Sequence, residues 1–560
     1  MPLKPVFDKA PMTKLNSLPL RAGLVRAESA AMRRLYEMTK NAEAYTALEG
    51  VFRLACIVTA KPGDEPVAAR IKALLSAQKA DGSFDLSFTD SVALLRAAWA
   101  LYEYEARKPL LDHIARWCAY AAQQWDAVVA EDGIWVKSAD LLELLENLYS
   151  VTGKAAVLSL CDRLAAQTMS WSSILNTVSS QRPTSREISA EELKRGMEKE
   201  NGSRDGYYTR YYRTNHAETL ADGARSTMAK GVLSGSATEL NATRNGWERL
   251  VRYHGAVCGG LTSDELLQGT SPAAAISTAA LGAWAEALAA AAMNGKADWA
   301  FDAMERMAYN AMPASVGEQK VRAFQSVNTL GETPENCMMV SPAHEQRAME
   351  RLVRGYAALA SSAISVCEDG CYINLYIPGR YAVPVDDGVM VFNVQASISG
   401  AEMTVHTSEQ TKAAVRLRMP SWSRNAEVTV NHSDNHGEVK NGMLTFDRVW
   451  HEGDVISVRF EQSLSVVDCH HQGKAIYRGP VLMALCAEQD QWQKAFVSAS
   501  CADHQVKAEL AEASAWKLKG NAPADIPVLP ETKGQTEQYQ LVPYNKTIAR
   551  IALFPGRKQG

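Results

Sequence analysis

The chain has 560 residues, a formal net charge of −4, 47% hydrophobic and 22% charged residues. That length supports two to four domains with at least one large core, and the composition is that of a globular protein. The near-balanced charge excludes the basic footprint of a nucleic-acid binder, and no apolar run reaches the roughly 18–20 residues that span a bilayer.

The chain opens on MPLKPVFDKAPMTKLNSLPL, which has no apolar signal core, so a cytoplasmic protein without a signal peptide is expected. Ten cysteines are scattered without any C-x-x-C, and the expectation is that most are reduced and buried. Apolar residues then recur at helical spacing in 25–40, 91–106, 110–125, 139–153, 155–169, 217–233, 239–255, 279–293, 300–312 and 345–365. Short links join these runs, which implies helical hairpins around a common axis, an (α/α)6-type barrel or a solenoid.

Near residue 370 the period changes from 3.6 to 2. The segments 371–383, 388–397, 401–408, 413–422, 426–433 and 454–462 are short, β-branched and alternating, as in an antiparallel sandwich. A second β-rich stretch runs from 474–485 to 547–556, with 505–540 expected as a polar excursion holding some helix. The expected fold is therefore α+β and multidomain, an N-terminal (α/α)6-type barrel followed by a C-terminal antiparallel β-sandwich region. The expected units are a helical domain at 1–370, a β-sandwich at 371–470 and a second β-rich domain at 471–560.

One Gly-rich loop, GAVCGGLTSDELLQGTSP at 255–272, carries adjacent carboxylates, Asp264 and Glu265. Ser263, Asp264 or Glu265 could cap a short helix. Alternatively, a half-buried carboxylic acid in such a loop can have its pKa raised enough to act as a general acid. Four tyrosines, Tyr207, Tyr208, Tyr211 and Tyr212, precede His216 in a segment suited to stacking on a sugar.

Further pieces follow in order: NHAETLADGARSTMAKG, GWERLVRYHG, GGLTSDELLQGTSP, ERMAYNAMPA, QSVN, INLYIPG, LRMPSW, YRGPVLMAL and LVPYNKTIARIALFP. Their order over about 500 residues resembles glycoside hydrolase family 127, the β-L-arabinofuranosidase-like proteins. The resemblance implies a sugar-cleaving barrel, with Glu265 at the position of the acid/base and His216 and Asn328 as candidate sugar-binding residues; Asp264, Tyr208 and His254 join them as candidates by their own type and place in the sequence. In that family a cysteine of a Cys-Cys pair is the nucleophile, held by zinc together with a Glu-x-Cys motif.

The sequence departs from that pattern. Ser277 and Ala279 stand where Glu-x-Cys is expected, and the chain has no Cys-Cys pair. Cys337 in PENCMMVSPAH is one candidate nucleophile; an ungapped register instead places Arg347 and Ala348 at the pair. Cys337 precedes a helix-start signal, and His344 lies close by in sequence. No metal and no cofactor are expected.

The expected function is a glycosidase that releases a terminal, arabinofuranoside-like sugar from a small oligosaccharide or glycoconjugate, using Glu265 and an altered nucleophile or base. The alternatives are a non-catalytic carbohydrate-binding relative and a sugar-acid lyase on the same barrel. The partner is a small glycoside, with no nucleic acid and no membrane, and a homo-oligomer is left open.

Overall fold

A computed structural model describes residues 29–129, 138–178, 180–203, 205–294, 298–329, 342–385, 388–423, 425–434, 438–440, 442–461, 464–469, 473–486 and 539–555, with short strands within 16–27 and 514–536. Six helices form a ring: α1 (Tyr45–Val58), α2 (Phe88–Glu105), α3 (Ala139–Thr152), α4 (Ala217–Ser234), α5 (Thr278–Met293) and α6 (Pro342–Ser361). Each packs on the next in chain order, and α6 returns to α1, so the ring closes. Outer helices back it. Ala30–Thr39 lies on α1 and α6, Pro66–Ser76 on α1 and α2, and Pro109–Gln123 on α2. Ala155–Gln167 lies on α3, Ala237–His254 on α4 and Asp298–Arg306 on α5.

The sequence of α5, TAALGAWAEALAAAAM, explains its inner place. It is apolar almost all round and nearly every residue is buried, as a helix with neighbours on every side requires. Small residues let the ring close tightly. A Cβ on Gly355 of α6 would stand 2.8 Å from the Gly282 Cα of α5, and one on Gly282 would stand 2.2 Å from the Arg351 carbonyl oxygen.

The barrel axis is charged. Arg96, Arg225 and Arg354, from α2, α4 and α6, are all buried. Arg96 pairs with Glu143 at 2.7 Å, Arg225 with Asp140 at 2.7 Å, and Arg354 with Asp140 and Glu286 at 2.7 and 2.8 Å. Compensation by several partners is what makes buried guanidinium groups tolerable.

After α6 the chain turns to strands. One sheet runs Asn16–Ser17, Ile364–Cys367, Gly370–Ile373, Thr411–Arg418, Met443–Trp450, Glu438–Lys440, with one parallel pair, Gly370–Ile373 beside Thr411–Arg418. The second is antiparallel: Ser433–Asp434, Ala426–Val430, Val455–Phe460, Gly400–His406, Gly388–Ser397, Gly379–Val385, Val25–Ala27. Phe392, Met403 and Ile456 of this sheet and Val415, Leu417 and Phe446 of the first share one core with the barrel. A third sheet runs Leu464–Asp468, Gly473–Arg478, Val481–Cys486, Tyr539–Pro543, Pro527–Thr532, Ser514–Leu518, and holds a small core of its own around Ile476, Met483 and Phe554.

Three details differ from the sequence expectation. The stretch 25–40 begins as a strand, Val25–Ala27, which pairs with Gly379–Val385 before the helix starts at Ala30. The inner helix α1, YTALEGVFRLACIV, was not among the expected helices; it is buried on nearly every face. The described parts of 505–540 are strands rather than helix. Among the described residues no helix is long and apolar enough to cross a membrane.

Candidate functional site

The Gly-rich loop leaves the outer helix at His254 and returns to the ring at Ser277, whose side chain accepts from the Ala280 N–H and so caps α5. No helix starts at Asp264 or Glu265, so neither is a cap. The loop is pinned instead by backbone bonds. Ser263 N–H donates to the Ala275 carbonyl, Leu267 N–H to Asn215, and Ala217 N–H to the carbonyl of Glu265. Between these anchors Glu265 has φ +100°, a conformation rarely adopted by residues with a side chain. Such strain persists only where the surroundings enforce it, and it gathers at functional sites.

The backbone aims the Glu265 carboxylate at two side chains. His344 Nε2 lies 2.7 Å from Oε1, and the Tyr212 hydroxyl donates to Oε2 at 3.2 Å. Glu265 and His344 keep 25% and 21% of their side-chain surface, enough for a substrate atom to reach the pair. The Tyr212 ring lies 5.2 Å from the His216 ring, the Arg213 guanidinium stands over Tyr212 at 5.3 Å, and Phe324 backs His344 at 5.6 Å.

His216 opens α4, and its Nδ1 accepts from the Thr219 N–H at 3.2 Å. Burial lowers its pKa. The ring is therefore neutral, with its proton on Nε2 as the remaining donor. Glu218, next along α4, is buried, which would raise its carboxyl pKa. Arg347 and Arg351 nonetheless hold it well below the usual carboxylate range. For Tyr212, burial and then the neighbouring Glu265 carboxylate push the phenol pKa up.

Not all the expected pocket residues gather here. Asp264 accepts from Gln268 Nε2 at 2.7 Å, and burial raises its carboxyl pKa. His254 ends the outer helix, not the loop; it is wholly buried, with Nε2 on the Ser180 carbonyl and Nδ1 accepting from Gly269 N–H. It props the loop from behind. Asn328 is buried too. Its amide ties residues 552 and 553 of the C-terminal strands to the barrel. The tyrosines sit on a helix, Tyr207–Asn215, rather than in a loop. Tyr208 rests on Gly196 and reaches Glu192 at 3.5 Å, whereas Tyr212, one turn on, reaches Glu265. Cys337 lies outside the described residues.

His344 was read in the sequence only as a neighbour of Cys337. Its spacing from Arg347, three residues on the same helix, puts both on one face and was the available signal. At the positions where zinc ligands would fall, Ser277 is a cap, Ala279 and Ala348 have no donor atom, and Arg347 is a cation. These residues do not fit a zinc ion. Among the described residues no group of three His, Cys, Asp or Glu is placed to hold a metal.

Residues 370–462 match the family model of the β-L-arabinofuranosidase GH127 middle domain. No curated protein matches the chain by sequence. Among solved structures, a GH127 β-L-arabinofuranosidase from Geobacillus stearothermophilus T6 superposes with a TM-score of 0.64 at 17% identity over 94% of each chain. A GH127 β-arabinofuranosidase gives 0.63 at 15% identity over 97% of this chain and 98% of the other. A third, described as a glycoside hydrolase, gives 0.71 at 13% identity over 100% of both. The chain thus shares with these structures the fold of a closed helical ring followed by antiparallel sheets, and its residues 370–462 are similar to the GH127 middle domain.

Proposed function

We propose that the protein is a glycoside hydrolase that releases a terminal, arabinofuranoside-like sugar from a small oligosaccharide or glycoconjugate, without zinc. The observation that carries this reading is the Glu265 carboxyl group, held on a strained backbone between His344 and Tyr212. The short contact to His344 fixes the carboxyl plane through Oε1. The longer Tyr212 contact leaves Oε2 as the oxygen that turns to substrate. Protonated, Glu265 gives its proton to the leaving oxygen; ionised, it takes one from the incoming water. The neutral His216 Nε2–H and the Tyr212–His216 pair suit the rim of a sugar ring. Cys337, seven residues before His344, is the candidate nucleophile.

The lyase alternative has less support, since it needs a tyrosine that ionises readily and the phenol nearest Glu265 is pushed the other way.

A panel of aryl glycosides, arabinofuranosides first, tests the proposal. Glu265→Gln is expected to lower kcat by at least about 10²-fold while leaving the melting temperature and sugar affinity unchanged. Cys337→Ser separates the second step: near-complete loss supports a thiolate nucleophile, and retained turnover with inverted product supports an activated water. If the wild type cleaves nothing yet a sugar raises its melting temperature, the binding-protein reading replaces this one.

A further inference from the structure

The Glu265 constellation lies at the end of the barrel where the inner helices begin: His216 caps α4, Ser277 caps α5, and His344 is in the first turn of α6. A small cavity of about 60 Å³ sits at that end, with Thr46, Phe88, Asp222 and Arg347 in its wall. A second, larger cavity of about 240 Å³ lies between the other halves of the same helices. Its wall includes Trp99 of α2, Asn147 of α3, Ala290 of α5, and Ala357 and Ser361 of α6. The salt-bridged Arg96, Arg225 and Arg354 separate the two ends, so this cavity is distinct from the candidate active site.

Three properties restrict what it can hold. First, alanines form part of its wall, and the wall residues Asn147, Ala290, Asn294 and Ser361 are half-exposed, so it has a mouth to solvent. Second, five carboxylates and four guanidinium groups reach its wall. They cancel to within one charge. The carboxylates of Glu49, Glu103 and Glu143 are taken by Arg53, Arg96 and Arg225. An anionic ligand would enter without a counter-charge and a cation would meet at most one, while a neutral polar ligand meets acceptors and donors of both kinds. Third, among the described residues the indole Nε1–H of Trp99, a residue 6% exposed, has no acceptor, and the Ser361 hydroxyl oxygen, itself buried, has no partner either. Buried indole N–H groups ordinarily find a partner.

We infer that this cavity is a second carbohydrate site, which binds one neutral monosaccharide at the end of the barrel remote from Glu265, with Trp99 Nε1–H and Ser361 as donors to its hydroxyls. A flat indole, the Glu286 Oε2 acceptor and unspent N–H and O–H donors are the complement of a ring with polar edges and an apolar face. The inference does not depend on the hydrolase proposal.

Equilibrium titration of the full chain with L-arabinose and with D-galactose, read by calorimetry and tryptophan fluorescence, tests it. The Glu265→Gln protein is expected to bind one of these sugars at this cavity, with a second molecule per chain only where the Glu265 site also takes it. Trp99→Phe replaces the indole with a smaller ring and removes the N–H; it is expected to bind one molecule fewer per chain, lose the fluorescence change and keep the wild-type melting temperature. Ser361→Ala, a smaller change, is expected to weaken the same binding event at least fivefold, and it serves if Trp99→Phe lowers stability. No binding by the wild type at millimolar sugar, or binding undisturbed by both substitutions, overturns the inference. So does a sugar-soaked crystal with only water beside Trp99. Loss of aryl-glycoside turnover with the second binding event intact would instead count against the hydrolase proposal alone.

Discussion

Glu265 is defined by what surrounds it. Its backbone is held left-handed by the bond from Ala217 N–H, and its two carboxylate oxygens are shared between Tyr212 and His344. Tyr212→Phe keeps the ring that stacks on His216 and removes only the donor to Oε2. Hydrogen bonds to charged groups contribute roughly 1.5–3 kcal/mol, so kcat/KM is expected to fall about ten- to hundredfold with no change in fold, as checked by steady-state kinetics beside a thermal melt. An unaltered kcat/KM would remove Tyr212 from the site. Of these three residues, the sequence pointed to Glu265 through its Gly-rich loop and to Tyr212 only as one of four tyrosines. Its partners stand 53 and 79 residues away, and nothing local distinguishes Tyr212 from Tyr208. That choice depends on which face of the helix Tyr207–Asn215 meets the loop.

At the scale of elements, the ring depends on close approach of α5 and α6. Gly282 and Gly355 are the contact, and helix propensity alone would prefer alanine at both. Gly282→Ala gains roughly 1 kcal/mol in propensity but drives its methyl group into the Arg351 carbonyl. The net expectation is a destabilisation of about 1–3 kcal/mol, read as a lower midpoint in denaturant titration; a stabilised protein would show that the helices part freely. The same shift would move His344 and Arg347 on α6, so activity is expected to fall with stability. The strands of the β-region were legible because alternation survives in single segments. Their partners were not. Two short strands from the start of the chain, Asn16–Ser17 and Val25–Ala27, complete sheets built otherwise from residues beyond 360.

For the whole molecule, burial of titratable groups sets the pH response. Burial lowers the pKa of both His216 and His254 in the folded chain. Unfolded, each titrates near 6.5, so below about that pH the unfolded chain binds more protons and stability falls as pH falls. The stabilising effect is complete above pH ~6.5 and is lost on descending through the lowered folded values. Asp264, whose carboxyl pKa burial raises, works in the opposite sense. The melting temperature is expected to drop from pH 7.5 to 5.5, and His254→Gln should flatten that slope even though it lowers the starting value. An unchanged slope would show that His254 is not held neutral. Glu49 and Glu218, held low by their arginine partners against the effect of burial, add a second loss only at more acidic pH.

By itself the sequence determined the period of each region, and with it a helical barrel followed by antiparallel sheets. Periodicity is local, and it survives wherever one face of an element meets a core. It also marked the loop of Glu265, because Gly-rich turns with acidic residues are local features. Only the tertiary structure decided which residues serve that loop. His254 and Asn328, which looked like pocket residues, are struts with every polar atom committed to backbone. His344 reaches Glu265 because α6 closes the ring beside α5. Closure also turned arginines inward to divide the barrel axis into two cavities. Side-chain direction around a closed ring depends on every helix at once, and no single segment of sequence contains it.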